Sequence, residues 1–558
     1  MEEIRTGLIK AIQDVFGVHA VEPELSRPDE KFGDYATNVA LKLAGQVGKP
    51  PRDIAEQLVA RLRESLSVQV RDVSIAGPGF INLTLSDTFL ADQADKAPNT
   101  KPNTYQGQVV IAEYSDPNPF KVLHVGHLYT SVIGDAIRNL IKAAGGQTHT
   151  VNFGGDVGLH VGKTMWAIVQ ELDGEHPEKL GDIPESERSE WMAACYVRGT
   201  HAYETDESAK SAIVSLNKRV YQIHAEHDHT SPFAHIYWTC RQWSYEYFDA
   251  FYASIGSHFE KYYPESETAP LGLQIVKEQL GKGVYTESNG AVVFEGEPHG
   301  LHTRVFINSE GLPTYEAKDV GLIMKKWQDY HFDRSVVVTG NDITEYMKVV
   351  LKSIEHFAPE LTERTIHITH GNVKLAGGVK MSSRKGNFLR AVDVLALAAA
   401  ANKKASGRDD EQAVLGAVKY AFIKQRIGAD IVYLPDESVS LEGNSGPYLQ
   451  YAHARACSIL RKSDAHPVAP TDFDTAERSL ARKLSEYPEV IDKAVQELLP
   501  HYVCTYLYEL AQTFNRFYEQ AKVIGDPREA QRLHLVELYA AVLKDGLGLL
   551  GITAPDTM

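Results

Sequence analysis

The sequence predicts a multidomain α/β protein in which a parallel-sheet domain carrying an insertion stands between a small α+β amino-terminal domain and an all-α carboxy-terminal helical bundle. Three observations predict it. At 558 residues and 43% hydrophobic content the chain exceeds what one core organises, so two to four domains are expected. The apolar run Val109-Val-Ile-Ala112 leads through polar Glu113-Tyr-Ser-Asp-Pro-Asn118 into a helical run from about Gly126 to Ala144, the strand, loop, helix order that opens an α/β nucleotide-binding unit. From about Glu411 to the end the pattern is almost wholly helical.

In chain order, residues 1–105 read as the small domain. Helical spacing runs over Ile4–Phe16 and from Pro51 to Leu66, with Pro51 suited to a first turn. Val73–Ala76 and Phe80–Leu85 read as two strands around the tight turn Gly77-Pro-Gly79. Lys96–Gln108, rich in Pro, Asn, Thr and Lys, reads as a linker. Residues 106–400 read as the sheet domain, with further strands at Thr148–Phe153 and Ser335–Thr339. An aromatic and charged helical stretch at about 165–300, with a hairpin-like Val284–Phe294, reads as its insertion. Residues 401–558 form the bundle, where Val503, Leu507, Leu510, Phe514 and Phe517 make one apolar stripe, which is assigned to core packing.

The net charge of −17 advertises no polyanion partner, so any RNA binding must come from local patches and shape. The four cysteines, Cys195, Cys240, Cys457 and Cys504, form no C-x-x-C pair, which speaks against a disulfide framework or a zinc knuckle and fits a reducing compartment. The amino terminus lacks a signal-peptide profile and no stretch approaches the ~20 apolar residues of a membrane span. A cytoplasmic, soluble, monomeric protein without a tightly bound metal is expected.

The chemistry concentrates in His124-Val-Gly-His127, at the start of the first long helix, and in Lys380-Met-Ser-Ser-Arg-Lys-Gly-Asn387 far downstream. A lone H-x-x-H is more often an accidental pair or a metal site, but no Glu follows the first His and no third ligand is evident. A helix amino terminus presents unpaired donors and partial positive charge to phosphates, Gly126 leaves room for a nucleotide, and two imidazoles can donate to phosphate oxygens. The Gly-flanked loop with Lys380, Arg384 and Lys385 is suited to closing over pyrophosphate, although by itself it reads equally as a solvated basic turn. Together the two motifs form an ATP site. His224, His227 and His229 lie in a charged helical stretch without a second cluster and read as a solvated face.

These motifs resemble the HIGH and KMSKS signatures of class I aminoacyl-tRNA synthetases. The run Glu113-Tyr-Ser-Asp-Pro-Asn-Pro-Phe-Lys-Val-Leu-His-Val-Gly-His127, the opening Gly446-Pro-Tyr-Leu-Gln-Tyr-Ala-His-Ala-Arg455, the amino-terminal Phe32-Gly-Asp-Tyr-Ala-Thr-Asn38 and Gly77-Pro-Gly-Phe-Ile-Asn82, and the ending Leu550–Met558 are similar to the arginyl-tRNA synthetase family. The resemblance implies a Rossmann-type catalytic domain, ATP with magnesium, and the substrates arginine and tRNA(Arg). It implies ligation through arginyl-adenylate, with a first step that usually needs bound tRNA. It assigns ATP contacts to Lys121, His124, Gly126, His127, Lys380, Met381, Ser382, Arg384 and Lys385. Arginine contacts fall on Glu113, Ser115, Asn118, Tyr315, Asp319 and Asp342, carboxylates being what a planar guanidinium fork requires. For tRNA, Phe80 and Asn82 match elbow-contacting positions, and Tyr451, Tyr518 and Met558 are candidates for the anticodon surface, where core aromatics or a frayed tail read equally well.

The chain departs from the family pattern at Ser383, where many class I enzymes carry a second lysine, at Val122 in place of proline, and at Asp116 in place of serine. By resemblance, Lys121 supplies the missing cation. The rival readings are a class I synthetase for another amino acid, against which the acidic pocket speaks, and a non-catalytic paralogue, against which the intact His124, His127 and Lys380 speak.

Overall fold

The computed structural model describes residues 1–375 and 389–558. Near the amino terminus, helices Glu2–Phe16, Val39–Val47 and Pro51–Ser65 pack on an antiparallel sheet of order β1-β3-β2, formed by β1 (Tyr35–Thr37), β2 (Val70–Ala76) and β3 (Phe80–Leu85). The β2–β3 turn needs glycine at both ends. Gly77 and Gly79 have φ of 54° and 145°, and a Cβ on Gly79 would meet Pro51 at 3.0 Å. The stretch expected as a linker begins only after helix Asp87–Lys96, which Ser86 caps by accepting the Phe89 N–H at 3.3 Å.

The central sheet is parallel, in the order β11-β10-β4-β5-β6 among the described residues. Its strands are β4 (Val109–Glu113), β5 (Gln147–Gly154), β6 (Lys261–Pro264), β10 (Arg334–Gly340) and β11 (Thr365–His370). From β4 the chain steps outward to β5 and β6, then returns to the other side of β4 as β10. The strand order therefore reverses between β4 and β10, and the crevice at their carboxyl ends is where open α/β sheets bind ligands. Helix Val125–Ala143 follows β4 and buries Leu128, Val132, Ile133, Ile137 and Leu140.

One expectation needs correcting. β6 pairs with β5 inside the 165–300 stretch, so that stretch is two excursions from the sheet and not one. The first runs through helices Leu159–Glu171, Arg188–Thr205, Glu207–Ala225 and Pro232–Ile255, which share a core of Met165, Ile168, Cys195, Phe233, Tyr237 and Cys240. The second holds helix Glu265–Leu280 and an antiparallel sheet of β7 (Thr286–Ser288), β8 (Ala291–Phe294) and β9 (Arg304–Ile307). A four-residue edge strand carries too little periodicity to stand out from the helices around it.

Helices from Ala391 to Leu549 build the carboxy-terminal bundle, interrupted by β13 (Ile431–Tyr433), which pairs with β12 (Val373–Leu375). The stripe Val503, Leu507, Leu510, Phe514 and Phe517 is buried, with Phe514 stacked on Tyr539 at 3.8 Å. Charge pairs tie the bundle to the first domain. Arg478 reaches Asp34 and Asp87, each at 2.6 Å, and Arg27 reaches Glu489 at 2.7 Å. No helix among the described residues is long and apolar enough to cross a membrane.

Candidate active site

The loop from Tyr114 to His124 leaves β4 at the switch point and is held in an uncommon conformation. Ser115, Asp116 and Phe120 have φ of 76°, 52° and 67°, a region that non-glycine residues occupy at a cost of about 1–3 kcal/mol each. Cross-links from other elements hold it there. Asp116 Oδ1 accepts the Phe153 N–H at 2.8 Å, Ser115 Oγ lies 2.7 Å from Tyr252 Oη, and the Phe120 N–H donates to Ser244 Oγ at 2.9 Å. Asp116 thus anchors the loop to β5 by the hydrogen bond it accepts, and Val122 is buried.

Four carboxylates converge below this loop: Glu113 at the end of β4, Asp116, Asp319 on helix Tyr315–Tyr330, and Glu265 after β6. Two have a lysine. Lys326 Nζ lies 2.5 Å from Glu113 Oε2, and Lys318 pairs with Glu265. Both lysines are buried, so each compensates a charge that water does not reach. Among the described residues no lysine or arginine pairs with Asp116 or Asp319. Burial, then the field of Glu113, pushes the Asp116 carboxyl well up. Burial likewise pushes Asp319 up to about 7, with Glu113 and Glu265 adding to the shift against a hydrogen bond donated by Tyr346. Burial raises Glu265 as well, even though Lys318 pairs with it, so desolvation is the main cause of the shifts across the cluster. Sequence reasoning missed Glu265 and both lysines.

Asn118 stands across Gly155 from Glu265. A Cβ on Gly155 would lie 2.7 Å from Asn118 Oδ1 and 3.0 Å from Glu265 Oε1, so only glycine permits this approach. Asn118 Oδ1 accepts the Gly155 N–H at 2.7 Å, which leaves its Nδ2 as a donor.

The imidazoles of His124 and His127 stack with centroids 3.7 Å apart at the head of helix Val125–Ala143. His127 Nδ1 accepts the His124 N–H at 3.1 Å and His124 Nδ1 accepts the Gly126 N–H at 3.0 Å. Both rings are therefore neutral tautomers with the proton on Nε2. Burial, with Lys121 adding, holds His124 down at about 4; burial, with His124 and Lys121 adding, holds His127 well below its usual value. One sequence expectation changes here. The first-turn donors are already used, since the Val125 N–H donates to the Leu389 carbonyl at 2.8 Å and the His127 N–H to the His124 carbonyl at 2.9 Å. Gly126 also makes room for an imidazole, because a Cβ there would meet the His124 ring at 2.8 Å. What the helix head offers an anion is its dipole and two Nε2–H donors.

A cavity of about 300 Å³ opens over these rings, lined by Asn118, Lys121, Tyr196, Glu190 and Arg390 as well. Lys121 Nζ sits 4.5 Å from the centroid of Tyr196, on helix Arg188–Thr205, an attractive cation–π arrangement. The charge of Lys121 is felt at His124, His127, His160 and Glu265, which places it between the cavity and the carboxylate cluster. Glu190 of the same helix pairs with Arg390, whose guanidinium also grips Asp393 at 2.7 Å. Lys380, Met381, Ser382, Arg384 and Lys385, with Ser383, lie outside the described residues. The chain that follows them pairs antiparallel with the first motif, His124 against Arg390.

Other expected residues lie as follows. Tyr315 is 58% exposed and its ring lies 5.0 Å from Lys318 Nζ. Asp342 is exposed beyond β10 and its field reaches His124 and His370, so it stands on the side of the imidazole pair. Phe80 is exposed, whereas Asn82 is buried in β3 against Ala36. Tyr451, Tyr518 and Met558 are exposed, with Arg455 4.6 Å over the Tyr518 ring. The solvated-face reading holds for His227 and His229, which are exposed, and fails for the half-buried His224. His224 Nε2 lies 2.7 Å from Tyr237 Oη, and His229 stacks on Trp238 at 4.6 Å.

Comparison with known proteins accords with this geometry. Residues 90–439 match the family model of the class I tRNA synthetase (R) catalytic domain, residues 2–85 the arginyl tRNA synthetase N-terminal domain, and residues 449–558 the DALR anticodon binding domain. The chain is similar to the arginine–tRNA ligase of Synechococcus elongatus, 31% identical with 95% of this chain and 94% of that protein covered. It is 27% identical to that of Porphyromonas gingivalis over the full length of both. Its fold matches the solved arginyl-tRNA synthetase of Thermus thermophilus, with a TM-score of 0.80, 25% identity and both chains fully covered.

Proposed function

The chain belongs to the arginyl-tRNA synthetase family and ligates arginine to tRNA, and we propose that the carboxylate cluster below β4 is its arginine pocket and the cavity over the stacked imidazoles its ATP site. The observation that carries this reading is Asp319, a buried carboxylate near its titration point and without a cation of its own. A guanidinium brought against Asp319 and the free oxygen of Glu113 supplies that cation in bidentate geometry. Lysine offers one donor centre and no fork, so it leaves part of the buried acidic surface unpaired. The α-carboxylate and α-ammonium of the substrate need one donor and one acceptor, which Asn118 Nδ2 and Glu265 provide on either side of Gly155.

The reaction runs in two steps. The arginine carboxylate attacks the ATP α-phosphorus in line and pyrophosphate leaves; then the terminal ribose hydroxyl of tRNA takes the acyl group and AMP leaves. The imidazole Nε2–H groups donate to phosphate oxygens without adding charge, and Lys121 stands where substrate carboxylate and α-phosphate come together. Magnesium bound with ATP would supply phosphate counter-charge, and Lys380, Arg384 and Lys385 are the further cations the second motif offers. Phe80 and Asn82 serve the tRNA elbow and Tyr451, Tyr518 and Met558 the anticodon side.

The test is His127→Ala. Arginine-dependent ATP–pyrophosphate exchange with tRNA present should fall by about two orders of magnitude or more. Affinity for tRNA should stay within about twofold of wild type, since the ring faces the nucleotide cavity. Normal exchange with weakened tRNA binding would overturn the assignment.

A further inference from the structure

The last residues of the chain lie along helix Gly446–Arg461 and are held to it at successive turns. Gln450 Nε2 donates to the Thr553 carbonyl at 2.9 Å, His453 Nδ1 lies 2.9 Å from the Pro555 carbonyl, and Arg461 donates to the Asp556 carbonyl at 3.1 Å. Between these contacts three ligand-type side chains converge. Cys457, one turn beyond His453, has its Sγ 3.7 Å from His453 Nε2 and 3.8 Å from Asp556 Oδ1, and the three ligand atoms lie within 4.8 Å of one another.

Three features distinguish this cluster from a chance grouping. A carbonyl only accepts, so His453 Nδ1 carries the proton and Nε2 is left with its lone pair, the sulfur lying 3.7 Å from Nε2 and 3.9 Å from Nδ1. A metal-ligating histidine is oriented in just this way, its other ring N–H held by a backbone carbonyl. The spacing also fits. A tetrahedral zinc with Zn–N of about 2.0 Å and Zn–S of about 2.3 Å holds those two ligand atoms about 3.6 Å apart. Finally, His453 and Cys457 are i and i+4 on one helix while Asp556 comes from the tail, so an ion here links the two segments.

We propose that His453 Nε2, Cys457 Sγ and the Asp556 carboxylate bind one zinc-type divalent cation, with water as the fourth ligand, and that the ion staples the carboxy-terminal tail to helix Gly446–Arg461. Binding displaces the thiol proton to solvent and involves no redox change. Tyr451 and Arg455 lie about two residues around the same helix, on its opposite face, and stay open when the tail is stapled.

The cysteine inventory makes the test direct, because Cys195, Cys240 and Cys504 are buried and Cys457 is half-buried. Full-length protein stripped with a chelator should present one fast-alkylating thiol, and one equivalent of Zn²⁺ should protect it. Co²⁺ should bind with one-to-one stoichiometry and give visible tetrahedral bands together with a thiolate-to-metal charge-transfer band, which Cys457→Ser removes. His453→Gln should weaken protection by about 100-fold or more. Asp556→Asn, an exposed change at the tail that leaves the core intact, should weaken it by about tenfold or more. The proposal is overturned if Zn²⁺ fails to protect Cys457, or if Asp556→Asn is protected at the same Zn²⁺ concentrations as wild type.

Discussion

Asp319→Asn is expected to raise KM for arginine by about 100-fold or more while leaving KM for ATP within about threefold. The amide keeps the shape and removes the counter-charge of the guanidinium. The titration of Asp319 supplies a second readout. In the free protein burial pushes its pKa up to about 7, and a bound guanidinium favours the carboxylate. Wild-type KM for arginine should therefore fall by up to about tenfold per pH unit as pH rises toward 7, level off above it, and lose that slope in Asp319→Asn. Stability moves the other way. A carboxyl whose folded pKa lies above its unfolded value of about 3.9 costs the native state stability as pH rises from about 4 through 7. At pH 8 the Asn variant should melt at or above the wild-type temperature. Equal effects on both Michaelis constants, or a lower melting temperature at pH 8, would assign Asp319 to structure and not to substrate.

Lys121→Ala is expected to slow adenylate formation in a single turnover by about 100-fold or more, with KM for arginine changed less than about threefold. Its ammonium is held against Tyr196 beside the imidazole pair, and its field extends to Glu265 in the carboxylate cluster. No other lysine among the described residues lines that cavity. The second signature carries Ser383 where a second lysine is usual in the resembling enzymes, and the proposed mechanism assigns the charge developing on the α-phosphate to Lys121. A near-normal rate in Lys121→Ala would show that Lys380, Arg384 or Lys385 already suffices.

Much of this was legible in the sequence where local pattern determines structure. The strand at Val109, the loop of Glu113–Asn118 and the helix beginning at the histidine pair follow from periodicity and capping, and they place the site before any tertiary contact is known. Asp319 and Glu113, expected from the sequence as carboxylates for a guanidinium, lie in one buried cluster. Their compensation was not legible. Lys326 lies 213 residues from Glu113 and Lys318 lies 53 from Glu265, and lysines in a pocket for a cation run against the simplest charge argument. A reading built on complementarity to the ligand omits the cations that keep the empty pocket stable. The helix head was misread for a related reason. Its N–H donors look unpaired in sequence, yet the His124 ring and the Leu389 carbonyl, which arrives from far along the chain, take them. The staple at His453, Cys457 and Asp556 escapes spacing rules because its third member comes from the other end of the domain.

The central claim is that charge, presented as a fork to Asp319 and Glu113, selects the amino acid. ATP–pyrophosphate exchange with tRNA present, run in parallel with arginine, lysine and citrulline, tests it most directly, because citrulline keeps the length and planar head of arginine and lacks only the charge. The account predicts exchange with arginine and rates lower by about three orders of magnitude or more with the other two at equal concentration. Comparable exchange with citrulline would contradict it, showing that shape and not the buried carboxylates makes the choice.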